Sequence, residues 1–322
     1  MRCAGRGTRP EEPDFVAGLV REATPIIAKA WRHLLGRHRV HVSMLSVYCH
    51  QTPQVHFQGM QKTACELGDL LFAHFHSDQS GTGFQNAILL QAKVAQENPF
   101  TGVGPKDDQL RLYQSWPDFE YRRSGKALNG LKRAVVPKTP HTGAQYMLID
   151  NRRPHDPVSG LLGIPGTYPI GVSMPDTFLH HHNDLGSELA DFLLMRSGRA
   201  FCDLFPHQAI EDGWSQIVWD LLRVALTKAF NRKKSEYGDA PRRSDILQKN
   251  DGLCFASTSS GRFRPSVASK VLGREEAALL YSSDGEAEPP QEREYGDGFS
   301  DDQGGVSVVL LETASGMPRI ED

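Results

Sequence analysis

Five residues of this chain have the types and spacing of a reactive site: Asp69, Gln91, Lys93, Gln109 and Tyr113. Asp69 follows Glu66-Leu67-Gly68 and opens the apolar run Leu70-Leu71-Phe72-Ala73. Gln91-Ala92-Lys93 closes another such run, Ala87-Ile88-Leu89-Leu90. Residues two apart in a strand share a face, so Gln91 and Lys93 project together, away from Leu90, Ala92 and Val94. Polar side chains at the end of an apolar strand need partners when buried, and Asp69, at the head of the neighbouring strand, supplies one. Gly68 beside it leaves room for close approach. Residues four apart in a helix also share a face, which aligns Gln109 with Tyr113.

Phosphodiester hydrolysis gives this set a common purpose. A hard cation such as Mg²⁺ or Mn²⁺ takes one or two carboxylates together with water and phosphate oxygens. It activates a water and stabilises charge on the phosphate. Asp69 would be the principal metal ligand, and Gln91 would add its side-chain carbonyl or leave its backbone carbonyl to help. Lys93 would orient the attacking water or neutralise charge in the transition state.

The elements that must position these residues follow from periodicity. Asp14 to about Leu35 reads as an amphipathic helix capped by Asp14, with Phe15, Leu19, Ala23, Ile26, Ile27, Ala30, Trp31 and Leu34 on its apolar stripe. Arg39 to Tyr48, Leu67 to His76 and Ala87 to Val94 read as strands, with a short separate piece at Gln54 to Phe57. Asp107 or Asp108 caps a helix that runs through Tyr113 and stops at Trp116-Pro117. Ala144 to Ile149 is the next strand. In the second half, Ser187 to Met195 and Gly213 to Phe230 read as helices. Arg232-Lys233-Lys234 and Arg242-Arg243 make a basic patch. The acidic stretch from about Arg274 to Gly305 reads as a loop or mobile segment. Val306 to Leu311 reads as a late strand able to join the main sheet.

An acid, then Gln91-x-Lys93, then Gln109-x-x-x-Tyr113, in the order helix, three strands, helix, strand, resembles the PD-(D/E)XK nuclease superfamily. Gln91-Ala92-Lys93 is similar to the Gln-x-Lys variant of Mrr-type restriction endonucleases. Gln109-x-x-x-Tyr113 is similar to the helix motif of RecB-type nucleases. The resemblance covers about residues 14 to 150. It implies an α/β fold with a restriction-endonuclease-like αβββαβ core, a mixed sheet flanked by helices, and a C-terminal extension over 151–322. It also implies a Mg²⁺-dependent deoxyribonuclease in a restriction or antiviral defence setting, with Asp69, Gln91 and Lys93 catalytic. Gln109 and Tyr113 would hold the substrate strand and support the site. The commoner family pattern has an acid where Gln91 stands. A neutral ligand lowers the charge available to the metal, so a further carboxylate is expected from Glu66, three residues before Asp69, or from Glu22 on the first helix, which sometimes contributes an acid in this superfamily. The alternative is an inactive nuclease fold that serves as a nucleic-acid-binding or assembly module.

Composition bounds these readings. The chain has 322 residues, 39% hydrophobic and 23% charged, enough for a substantial core. The net charge of −3 carries no global basic signal, so DNA binding would rest on a local surface. The five cysteines form no C-x-x-C pair, which excludes zinc-finger spacing and makes a disulfide framework unexpected. No apolar run approaches the length of a membrane span, and the N-terminus lacks a signal-peptide pattern. A cytoplasmic protein with no membrane partner follows as the expectation, with protein subunits of a defence system or a second copy of the chain as further partners. His180-His181-His182 reads as a solvated or partner-contacting cluster, and His74 and His76 as packing residues. Arg122-Arg123 and Lys132-Arg133 read as solvated charge, with phosphate contact the alternative in a nuclease.

Overall fold

Alternation along the strands builds two cores from one sheet. In β4 (Leu70–Ser77) the side chains of Leu70 and Phe72 enter one apolar cluster, and those of Leu71, Ala73 and Phe75 enter the other. Strand β5 (Gly83–Val94) divides Ile88, Leu90 and Ala92 from Ala87 and Leu89 in the same way. Buried strands with two apolar faces require cover on both sides, and the computed structural model supplies it. It describes residues 10–49, 53–78, 80, 83–95, 100, 102–123, 127–138, 143–151, 169–203, 212–236, 252–258, 266–281 and 305–316.

The first face is covered by α1 (Glu12–Gly18), a π-helical turn (Leu19–Ala23), α2 (Thr24–Gly36) and α4 (Leu185–Leu193). The second is covered by α3 (Asp108–Ser115), α5 (Gly213–Glu236), α6 (Ser266–Leu272) and α7 (Arg274–Tyr281). The protein is thus mixed α/β, with a mixed nine-stranded sheet flanked by helices. The sheet runs β10 (Asn183–Asp184), β9 (Ile170–Ser173), β8 (Ala144–Ile149), β5, β4, β13 (Ser307–Ser315), β1 (Val40–Val47) and β12 (Cys254–Thr258), and β11 (Arg199–Ala200) pairs with β5. Strand β4 is antiparallel to β5, with Leu70 opposite Leu90. Strand β5 is parallel to β8, and α3 lies in the connection between them. A second, four-stranded sheet has the order β3 (Cys65–Glu66), β2 (Gln54–Phe57), β6 (Phe119–Arg122), β7 (Lys132–Arg133).

The late strand joins the sheet at its centre. It pairs parallel to β4 and antiparallel to β1, so residues from both sides of position 150 share one sheet, and a boundary there cuts through it. Residues 274–281, read from the sequence as part of an acidic loop, form α7, with Ala277 and Leu280 buried. The rest of that acidic stretch to 304 lies outside the described residues, as do Arg242 and Arg243.

The N-terminal helix begins earlier than its composition indicates. Glu11 is its N-cap, and Asp14, at the third helical position, accepts a hydrogen bond from the Glu11 backbone N–H at 2.9 Å. The π-helical turn inserts an extra residue, which rotates everything after it relative to a regular helix. Phe15 and Val16 are buried before it, Leu19 and Val20 within it, and Thr24 and Ala28 after it. Ile26, placed by periodicity on the apolar stripe, is 70% exposed. Among the described residues no helix is long and apolar enough to cross a membrane, and Cys49, Cys65, Cys202 and Cys254 form no disulfide.

Candidate functional site

The five residues singled out by the sequence converge. Asp69 lies in the link from β3 to β4, where its backbone N–H donates to the Leu90 carbonyl at 2.9 Å. That bond continues the β4–β5 ladder by one step and sets Asp69 against Gln91. Asp69 Oδ2 accepts from Gln91 Nε2 at 2.5 Å and from the Ala92 backbone N–H at 2.7 Å. Both of these bonds fall on Oδ2.

Helix α3 braces this pair. Asp107 caps it, accepting from the backbone N–H groups of Gln109 and Leu110 at 2.9 Å each. Gln109 Nε2 donates to Gln91 Oε1 and, at 3.1 Å, to the Glu66 carbonyl. Tyr113 Oη donates to the Leu67 carbonyl at 2.7 Å. The two helix residues are buried. They hold the 66–69 link and the Gln91 amide. Gln91 itself gives Asp69 an N–H donor, while its side-chain carbonyl, expected to face a metal, accepts from Gln109.

Trp116, at the left-handed end of α3, is fully buried and stacks on Tyr113 with ring centroids 5.9 Å apart. A β-carbon on Gly68 would lie 2.7 Å from Leu89 Cδ1 and 3.0 Å from Tyr113 Oη. The expected result of Gly68→Ala is therefore a stability loss of roughly 1–3 kcal/mol from overpacking, read as a lower urea midpoint with an unchanged m-value. A wild-type midpoint would contradict this packing.

The electrostatics of Asp69 are those of a crowded acid. Burial, then the nearby Glu66 carboxylate and more weakly Glu12, push it up from an ordinary 3.8 to about 7, against the opposing pull of the Ala92 N–H and Lys93. Lys93, half-buried, acts on Asp69 through its charge and makes no ion pair among the described residues. Glu12 is the acid that periodicity missed. It sits in the first turn of α1, and its Oε1 accepts from the Val94 backbone N–H at 2.9 Å. The sequence signal was Glu12-Pro13, an acid and a proline at a helix start. Glu22, the candidate from the same helical segment, falls in the π-helical turn, is exposed, and is not among the principal charges acting on Asp69.

A carboxyl group that keeps its proton longer in the folded chain than in the unfolded one makes the folded state bind more protons. Stability then falls as pH rises through the interval between the two pKa values, here from about 4 to about 7. The melting temperature of the metal-free protein is expected to drop across that window, and Asp69→Asn to flatten the drop. Mg²⁺ should raise the melting temperature more at pH 8 than at pH 5. Parallel pH profiles for wild type and variant would contradict the assignment.

Among the described residues no three His, Cys, Asp or Glu side chains converge closely enough to hold a metal by themselves. The donor chemistry still fits an ion of the Mg²⁺ type, which commonly takes one or two carboxylates and completes its shell with water and phosphate. Asp69 Oδ1 would be the ligand, with Glu66 and Glu12 adding negative charge nearby.

The histidines lie elsewhere. His74 Nε2 and His76 Nδ1 each meet Thr313 Oγ1 at 2.8 Å, in the part of β4 farthest from Asp69. Burial and the His76 ring hold His74 down at about 3. His182 Nε2 lies 3.5 Å from the buried Glu188 carboxylate. Arg133, read as solvated charge, instead forms a two-pronged pair with Asp220 of α5, at 2.8 and 3.0 Å. Compared with known proteins, the chain matches no family model, no curated protein and no solved structure.

Proposed function

We propose that the protein is a metal-dependent nuclease of the PD-(D/E)XK kind, acting on DNA phosphodiester bonds. One observation carries the reading: a buried acid at the start of β4, braced by Gln91 and Gln109, with Lys93 beside it and two further acids crowding it. Crowded acids without a compensating cation are unfavourable, and a divalent ion relieves the repulsion. The parallel β5–β8 pair, with α3 in its connection, also supports a restriction-endonuclease-like arrangement.

When bound, Mg²⁺ or Mn²⁺ would polarise the phosphate and lower the pKa of a water. The chain's own residues do the rest. The Ala92 N–H and the Gln91 amide fix Asp69 through Oδ2. Lys93 offers an ammonium to the attacking water or to the charge that develops on phosphate. Gln109 and Tyr113 lock the 66–69 link so that the acid does not drift. Wild type is expected to nick plasmid DNA with Mg²⁺ or Mn²⁺ and to stop on chelation.

A second reading is favoured by the Gln91 carbonyl being occupied by Gln109 and by the sparse carboxylate set: a catalytically inactive fold that binds nucleic acid or partner subunits. DNA binding with no cleavage under either metal, alone or with copurifying subunits, would select it.

A further inference from the structure

The small sheet presents a polar face that begins at the candidate site. Residues directly opposite in antiparallel strands share a face. Glu66 pairs with Gln54, and Gln54 with Arg122, which makes one row. His56 pairs with Glu120, and Glu120 with Lys132, which makes the next. The opposite parity, Val55, Phe57, Phe119 and Tyr121, is buried in the core. The outward row therefore starts at Glu66, whose charge acts on Asp69, and reaches Arg122 two strands away. Two inter-strand spacings are roughly 10 Å, the axial rise of about three nucleotides at ~3.4 Å each.

At that far end a groove of about 660 Å³ is lined by His56, Thr63, Glu120, Arg122, Arg123 and Asn129. Its permanent charges are two guanidinium groups against one carboxylate. Arg122 is more than half exposed and pairs with Glu120 at 3.1 Å. Arg123 has φ of 46°, a left-handed conformation that a non-glycine residue adopts at a cost. His56 Nδ1 lies 3.0 Å from the Thr63 carbonyl, which only accepts, so Nδ1 carries the proton and Nε2 is left for a ligand.

We infer that this groove is a second anchoring site for the DNA strand, in which Arg122 and Arg123 hold phosphates a few nucleotides along from the bond cut at Asp69. The inference rests on the nuclease reading for its choice of ligand. It explains why the four-stranded sheet is appended where it is: β3 delivers Glu66 to the site, and β6 delivers the arginines to the same strand of DNA. It also places the basic surface that a chain of net charge −3 must concentrate locally to bind a polyanion.

The test is binding of a fluorescent 20-base-pair duplex by anisotropy, with Ca²⁺ in place of Mg²⁺, across a series of salt concentrations, beside cleavage assays in Mg²⁺. The variant Arg122→Ala/Arg123→Asn uses Asn because it tolerates positive φ. It is expected to bind roughly tenfold more weakly at 0.1 M salt, with the slope of log K against log salt reduced by about two. Its cleavage at subsaturating DNA should fall in step with the binding loss. Glu120→Gln, which releases Arg122 and removes the groove's carboxylate, should bind severalfold tighter. An Arg122→Ala/Arg123→Asn variant with wild-type affinity and slope, or weaker binding by Glu120→Gln, overturns the groove and leaves the nuclease reading standing. A tenfold binding loss in a chain that cleaves no DNA with Mg²⁺ or Mn²⁺ retains the groove as a DNA site and overturns the nuclease reading. A wild-type chain that binds no duplex overturns both.

Discussion

A chain ending at residue 304 is expected not to fold. The segment it lacks contains β13, nine residues long, with Ser307 to Ala314 buried. That strand fills the space between β1 and β4, and without it each of those strands loses its hydrogen-bonded neighbour on that side. Val309 and Leu311 face the cluster under α1 and α2, while Val308 and Leu310 face the cluster under α5. Burying four such side chains is worth about 1.5–3 kcal/mol each, a sum of roughly 6–12 kcal/mol that equals the net stability of a typical domain. Losing the β13 ladder bonds adds to this. Far-UV circular dichroism and thermal melting should show no cooperative transition for the truncated chain, and the fragment 1–150 should fare no better. A cooperative melt from either would contradict a central position for β13. Leu310→Ala, which leaves the ladder intact, is expected to cost about 2–5 kcal/mol and still to melt cooperatively.

The position of β13 marks the limit of what the sequence discloses. Its alternating and β-branched residues identify a strand, because that pattern is local. Its neighbours are chosen by contacts more than two hundred residues away, which no local pattern encodes. The same division runs through the candidate site. Asp69, Gln91 and Lys93 are legible because strand alternation and the β4–β5 turn are short-range, and α3 is legible because Asp107 and Trp116-Pro117 punctuate it. The N-terminal helix shows the opposite case. Its apolar residues fit a 3.6-residue period that runs past Glu22, but the π-helical turn breaks that phase and Glu22 is exposed, while Glu12, ahead of the turn, approaches the site. Arg133 was legible only as a charge, since its partner Asp220 lies in α5, far along the chain. The identity of a site's central residues is thus written locally, whereas its outer carboxylates depend on helix phase and tertiary packing.

Asp69→Ala and Lys93→Ala should each abolish most cleavage, by different routes that separate their roles. On the proposed mechanism Asp69 would supply the oxygen that a divalent ion needs, so its removal should lower activity by a thousandfold or more, a scale set by loss of metal-dependent charge stabilisation, and raise the Mg²⁺ concentration needed for what remains. On the same mechanism Lys93 would donate to the water or to phosphate. Removing it should lower kcat by about 10²–10³, the usual effect of losing one preorganised donor, with the Mg²⁺ requirement unchanged. The double variant should be little worse than Asp69→Ala, because residues acting as a unit are not additive. In metal-free protein at pH 8, Asp69→Ala relieves repulsion from Glu66 and Glu12 but leaves the Gln91 and Ala92 N–H donors without their acceptor. Lys93→Ala removes the cation that offsets the charge on Asp69, so its melting temperature should fall slightly. Gln91→Glu completes the set in the reverse direction. It places a second carboxylate against Asp69 where an N–H now donates at 2.5 Å, so the metal-free protein should melt lower and Mg²⁺ should restore it. Lowered metal-free stability that Mg²⁺ does not restore would mean that this end of the sheet does not bind a cation. Cleavage that survives both alanine substitutions would place the active centre elsewhere in the chain.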